Sequence, residues 1–314
     1  MPPDPSLLHL SEEVLQLCKQ IDEHGREYWW IKPEIAAAFE AGGYHLLPRH
    51  FHSPVADPKT AEGIDFDKEL YPLRDLRFDE TASLKFLESI AECSEELARE
   101  FPAAASTDRG FYWNNPFFAG LDAAALYTMV RTIRPRRIVE IGSGFSTHIA
   151  LRALDRNGRG HLTCVEPNPT AKLLELSDRI EFVQSRIQQA PAESFTSLVS
   201  GDILFIDSSH VSCLGSDVNF EIFEILPNLP AGVVVHFHDI FLPFEYPREW
   251  VVNRRWHWNE QYLLYAFLKM NDAFEIWMPN GYLTRRHTEK VRAVLPFIDV
   301  VANPGASFWM RKTR

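Results

Sequence analysis

From Asp122 to the end of the chain, short apolar runs alternate with stretches whose apolar positions recur every three or four residues. The runs are IVEIG from Ile138, LTCVE from Leu162, IEFVQ from Ile180, ILFID from Ile203 and VVVHFH from Val233. The periodic stretches between them predict helices: STHIALRAL from Ser146, TAKLLEL from Thr170, a short one over 192–199, and DVNFEIFEIL from Asp217. Strands apolar on both faces and joined by helices of about 10 residues imply a parallel sheet covered on both sides. A helix, DAAALYTMVRTI, stopped by Pro135, precedes the first strand. After the fifth come a helix, NEQYLLYAFLKM from Asn259, and two more strands, FEIWM from Phe274 and SFWMRK from Ser307. The expected fold is α/β, a seven-stranded, Rossmann-like, doubly wound sheet.

Ahead of residue 110 the pattern is helical and rich in turns. SEEVLQLCKQI from Ser11 has the Ser/Glu start of a capped amphipathic helix, and a second helix is expected over 81–100, after the turn-rich HLLPRHFHSPVADP. A mainly helical N-terminal extension, 1–110, and a sheet-bearing domain, 111–314, follow from this change.

Composition narrows the function. Of 314 residues, 46% are hydrophobic and 24% charged, as in ordinary folded domains. A formal net charge of −11 and the lack of a Lys/Arg run argue against nucleic acid and anionic membranes as partners. No apolar run reaches the roughly 18 residues that span a bilayer. The start, MPPDPSLLHL, lacks the basic and apolar regions of a secretory signal. Cys18, Cys93, Cys164 and Cys213 form no CxxC pair and read as reduced thiols, Cys164 in the core. A cytoplasmic location is expected, and a homo-oligomer is compatible with all of this.

The strongest chemical signal is IVEIGSGFST, an apolar strand ending in Glu140, Gly142, Ser143 and Gly144 before a helix start at Ser146 and Thr147. Glycine belongs where the backbone turns sharply and a ligand must come close. A dinucleotide fingerprint would place a third glycine at position 147, which holds Thr147. Glu140 would repel a pyrophosphate and suits the cationic end of an amino-acid ligand. Glu166 ends the second strand, 22 residues beyond Gly144, where Rossmann-like folds grip a ribose. Asp207 and His210 follow the fourth strand, and His238 and Asp239 the fifth. These four fall at neighbouring strand ends, where open α/β sheets bind ligands and where they can serve as a general base or hold a divalent cation. His236, inside the fifth strand, reads as a hydrogen-bonded core residue.

The first-strand motif resembles that of class I methyltransferases, E/D-x-G-x-G-x-[ST], with Glu140, Gly142 and Gly144 matching. The resemblance implies S-adenosylmethionine as cofactor, its methionine part near Glu140, Gly142, Ser143, Gly144, Ser146 and Thr147. It also implies Glu166 on the ribose and Ser185, Arg186 and Asp207 as further cofactor neighbours. The runs IDSSHV, SDVNFEIFEILPNLPAGVVVHFHDIFLPFEYP and WNEQYLL, with the lead-in NNPFFAGLDAAALY, look like methyltransferase domain 24 over about 112–311. Catechol-type O-methyltransferases, also similar, place Asp after the fourth strand and Asp-Asn after the fifth to hold magnesium. Asp207 matches, whereas His238 and Asp239 stand where Asp and Asn would be. The implied function is transfer of a methyl group from S-adenosylmethionine to oxygen of a small-molecule acceptor, Asp207, His210, His238 and Asp239 being catalytic. A divalent metal on Asp207, His238 and Asp239 is an open alternative to a metal-free base.

Trp250, Arg254, Trp256 and Trp258, in the aromatic and basic stretch after the fifth strand, are expected to meet the acceptor, as is the N-terminal extension. The rival readings are an NAD(P)-dependent oxidoreductase on a Rossmann-like sheet and a non-catalytic cofactor-binding domain.

Overall fold

A computed structural model describes residues 5–105 and 110–314, so the first four residues of the N-terminal stretch read above lie outside it. The chain falls into two compact units, Met1–Ile64 and Asp65–Arg314.

In the smaller unit the first helix spans Pro5–Gln20, opening on a proline well before the expected Ser11 cap. It runs into a wider turn, Ile21–Gly25, and then a two-residue antiparallel pairing of Arg26–Glu27 with Trp30–Ile31. Helices Pro33–Ala41 and Pro58–Glu62 follow, the second capped by the Asp57 carboxylate, which accepts from Lys59 N at 2.9 Å.

The compact units divide at Ile64/Asp65, ahead of the change in sequence pattern near residue 110. The helix Glu80–Glu100, read as part of the N-terminal extension, belongs to the larger unit. Asp79 caps it, and its buried side chains Ser83, Leu87, Ile90 and Leu97 recur at helical spacing. Leu87, Ile90 and Leu97 share one hydrophobic core with Leu126 and Met129 of the helix Gly120–Ile133. An amphipathic pattern shows that a helix has an apolar face but not which element covers it.

The sheet has seven strands: β1 (Arg137–Ile141), β2 (His161–Val165), β3 (Glu181–Val183), β4 (Ile203–Ile206), β5 (Val234–Phe237), β6 (Phe274–Pro279) and β7 (Phe308–Lys312). Their order is 3-2-1-4-5-7-6. Pairings from β3 through β5 are parallel, while β7 lies antiparallel between β5 and β6, a reversal that the expected parallel sheet did not contain. Side chains alternate strictly between two cores: Ile138, Cys164, Ile203 and Phe205 on one face, Val139, Ile141, Leu204 and Ile206 on the other. This double burial accounts for the continuous apolar runs. The strand order changes direction between β1 and β4, which opens a crevice beyond their carboxyl ends.

Candidate active site

At the end of β1 the chain turns through Gly142, at φ +75°. A Cβ there would stand 1.8 Å from the carbonyl oxygen of Asp207, so the turn lies directly against the end of β4. Asp207 N donates to Ile141 O at 2.9 Å and Gly142 N to Val165 O at 3.1 Å, tying three strand ends together. The helix Phe145–Asn157 starts immediately afterwards.

Strand alternation sends Glu140 beneath that helix rather than into the crevice. Its carboxylate is 1% exposed, accepting from the Thr147 hydroxyl at 2.6 Å and from Cys164 Sγ at 3.3 Å. Thr147 Oγ1 in turn accepts from Gly144 N at 3.1 Å. Burial raises the Glu140 pKa against these hydrogen bonds. Glu140 and Thr147 therefore brace the glycine turn from below, a correction to their expected contact with a ligand.

Two cavities meet over the turn. The first, about 510 Å³, is lined by Glu166, Asn168, Arg186 and Gln188, and the second, about 680 Å³, by Tyr112, Phe118, Gly144, Ser146 and His148. Gly142, Glu166 and Asp207 line both. Both volumes fall in the range of small-molecule sites. The Glu166 carboxylate accepts from Asn168 N at 2.7 Å and Ser143 N at 3.4 Å, which fixes it between the cavities. Ser143 joins the second cavity and the exposed Arg186 the first, while Ser185 lines neither.

Beyond Asp207, the four residues expected at the strand ends converge. His210 Nε2 lies 3.4 Å from Asp207 Oδ1 and 3.5 Å from Asp239 Oδ2. His238 Nδ1 lies 3.5 Å and 3.6 Å from the same two oxygens. Single atoms of Asp207, His238 and Asp239 all lie within 4.8 Å of one another, close enough to share a cation. His210 and Asp239 adopt left-handed backbone conformations, φ +61° and +56°, uncommon for residues with side chains and concentrated at functional sites.

Each histidine has a further carboxylate behind it. Glu260 Oε2 is 2.9 Å from His210 Nδ1, and Asp122 Oδ2 is 3.4 Å from His238 Nε2. Asp122 is itself held by Ala306 N at 2.7 Å, Ser307 N at 2.9 Å and Asn280 Nδ2 at 2.8 Å. Both acids stand in the first turn of a helix, where the helix dipole alone explains an acid, so neither role was visible in the sequence.

Burial disfavours charge on His238, but Asp239 and Asp207 overcome it and raise its pKa well above the usual value. For His210 the same contest is decided by Asp207 and Glu260. Asp207 is driven far below the carboxylate range, the charges of His238 and His210 outweighing burial. Burial prevails at Asp239 and Glu260, whose pKa values rise.

His236 is fully buried, 2.7 Å from Ser307 Oγ through Nε2 and stacked on Phe205. The tryptophans after β5 form their own cluster. Trp258 packs 4.4 Å from the His210 ring, Trp256 stacks on Trp258 at 4.9 Å, and Trp250 meets both at 5.1 Å, with Arg254 over Trp256. None of the four lines either cavity, so they reach the site through His210 rather than by walling a pocket.

The doubly wound sheet, with cavities flanking a glycine turn and an ionisable cluster at its strand ends, has a Rossmann-like architecture. Residues 139–240 match the family described as Methyltransferase domain, Methyltransf_24. An uncharacterized protein of Archaeoglobus fulgidus is 32% identical over 135 residues, a match covering 39% of this chain and 58% of that relative. Two solved structures are similar at lower identity. The O-methyltransferase TomG from Streptomyces achromogenes, involved in tomaymycin synthesis, is 16% identical with a TM-score of 0.36, covering 76% of this chain and 92% of its own. The plantazolicin methyltransferase BpumL is 13% identical with a TM-score of 0.35, covering 75% and 86%.

Proposed function

We propose that the protein transfers the methyl group of S-adenosylmethionine to an oxygen of a small molecule. The observation that carries this reading is that Gly142, Glu166 and Asp207 border both cavities, while Asp207 also belongs to the ionisable cluster. The adenosyl half of the cofactor would occupy the cavity beside Asn168 and Arg186, with Glu166 on the ribose hydroxyls. The methionyl half would occupy the cavity beside Gly144 and Ser146, which brings the sulfonium close to Asp207.

Methyl transfer from a sulfonium needs alignment and the removal of one proton. The acceptor oxygen attacks the methyl carbon, the sulfur–carbon electron pair returns to sulfur, and S-adenosylhomocysteine leaves as a neutral thioether. The acceptor's proton passes to the Asp239 carboxylate, whose pKa burial raises, while Asp207 stays ionised between His210 and His238. The donor set of Asp207, His238 and Asp239 also fits a divalent ion, and such an ion would lower the pKa of an acceptor hydroxyl bound beside it. A small acceptor accords with cavities of about 510 and 680 Å³ and with a net charge of −11, which opposes nucleic acid. Among the described residues no helix is long and apolar enough to cross a membrane.

Incubation of the full chain with methyl-labelled S-adenosylmethionine and a size-fractionated metabolite extract tests the proposal. Label is expected in a low-mass product that survives mild base, as an ether does. Label found only in protein or nucleic acid would refute it.

A further inference from the structure

Resting on that reading, we infer that Glu221 and Glu260 form a buried acid pair behind the reaction centre, holding one proton between Glu221 Oε1 and Glu260 Oε1, and that this proton aims the Glu260 carboxylate at His210. Glu221 lines neither cavity and acts through Glu260, as a positioning residue.

Burial is the first support. Both side chains are fully enclosed, and a glutamate is almost never enclosed without a partner. Each satisfies only one oxygen. Glu260 Oε2 lies 2.9 Å from His210 Nδ1, and Glu221 Oε2 accepts from the Ser208 hydroxyl at 3.3 Å. The other oxygen of each, Oε1, is buried with no donor among the described residues. Two carboxylates cannot satisfy each other, whereas one carboxylic acid and one carboxylate can, through a short O–H···O bond.

Placement is the second. Glu260 opens the helix Glu260–Lys269, and the wide, π-type turn that starts at Glu221, Glu221–Ile225, packs against that helix. The regular helix Asp217–Phe220 stops one residue earlier. Such wide turns inside helices recur at functional sites.

Charge is the third. The groups facing the pair are Asp217 on the helix that leads into Glu221, Asp207, Ser208 and His210 after β4, and Tyr246 after β5. Burial holds the Glu221 pKa well above the ordinary carboxylate value, the charges of Glu260 and Asp217 adding to it against Ser208 and His210. At Glu260 burial is opposed by direct contact with the imidazole, so the proton rests on Glu221 and the negative charge on Glu260. His210 Nδ1–H then donates to a carboxylate whose second oxygen is already engaged, which fixes the ring with Nε2 toward Asp207 and Asp239. Ser208 also lines the first cavity, so the network runs from the wall of that cavity to His210.

An unfolded chain releases the Glu221 proton in the ordinary carboxylate range and the folded chain only well above it. The folded state therefore loses stability as pH climbs between the two.

Infrared difference spectroscopy of the full chain at neutral pH, wild type against Glu221→Gln, reads the proton directly. Wild type is expected to show the carbonyl band of a protonated carboxyl group that Glu221→Gln lacks. Glutamine presents an N–H donor in place of the acid and carries no charge, so thermal unfolding should show a shallower loss of stability with rising pH in the variant. In methyl transfer, Glu221→Ala is expected to lower kcat by about tenfold or more and Glu221→Gln to restore most of that loss. A wild-type spectrum without any protonated carboxyl band at neutral pH overturns the inference before any variant is made. So does a band that Glu221→Gln leaves intact, an unchanged pH slope, or a glutamine variant no better than the alanine one. The infrared and unfolding measurements need no turnover. Absence of methyl transfer by the wild type with the band present therefore overturns the methyltransferase reading and leaves the acid pair standing, while methyl transfer without the band overturns the pair alone.

Discussion

Gly142→Ala is expected to lose about 3 kcal/mol or more of stability and at least a hundredfold in affinity for S-adenosylmethionine. Two costs act together. Alanine at φ +75° is strained by roughly 1–2 kcal/mol, and its methyl would stand 1.8 Å from the carbonyl oxygen of Asp207, which no repacking of side chains relieves. The ends of β1 and β4 must then separate, breaking the 2.9 Å bond from Asp207 N to Ile141 O. Because Gly142 borders both cavities, the same displacement disturbs both halves of the cofactor site. Denaturant unfolding and calorimetry would register the two effects. A variant within about 1 kcal/mol of wild type and with unchanged affinity would contradict the close approach that holds the crevice together.

Asp207→Asn should act on turnover instead. The substitution keeps the shape of the side chain and its backbone bonds but removes the charge that both histidines face, Nε2 of His210 at 3.4 Å and Nδ1 of His238 at 3.5 Å. With the acceptor identified by the labelling experiment, kcat is expected to fall by about 10³, in line with disruption of a positioned general-base cluster when the charge facing both histidines is lost. KM for S-adenosylmethionine should stay within roughly tenfold, since Glu166 and the glycine turn are untouched. A kcat within tenfold of wild type would remove Asp207 from the chemistry, and an equal rise in KM would make it a binding residue only.

The separation of these effects reflects what the sequence could and could not reveal. Elements were legible because periodicity is local: every sheet strand lies within a run read from apolar alternation, within a residue or two. Long-range relations were not. The direction of β7 is invisible in FWMRK itself, and the helix Glu80–Glu100 announced an apolar face without naming the core that covers it. The glycine turn was legible through residue type and spacing, since few residues tolerate positive φ. The role of Glu140 was misread because its nearness to Gly142 in sequence says nothing of the face it points to. Register places it beside Cys164 and Phe205, under a helix and away from the crevice.

The ionisable cluster divides along the same line. Asp207, His210, His238 and Asp239 could be foreseen because all four sit at carboxyl ends of strands, where doubly wound folds assemble sites. Asp122 and Glu260 arrive from helix starts distant in sequence, and only packing brings them behind the histidines. The tryptophans after β5 pack in a way the sequence does not show. Trp250, Trp256 and Trp258 satisfy one another, and through Trp258 they support the His210 ring that the cluster depends on.

All of this depends on a cradle for an adenosyl amino acid at Gly142–Gly144 and Glu166. Isothermal calorimetry of the full chain with S-adenosylhomocysteine is the most direct test. The account predicts one site per chain, weakened at least tenfold by Glu166→Ala and not competed by NADH. Folded protein that takes up no S-adenosylhomocysteine, or that binds NADH in its place, would contradict it.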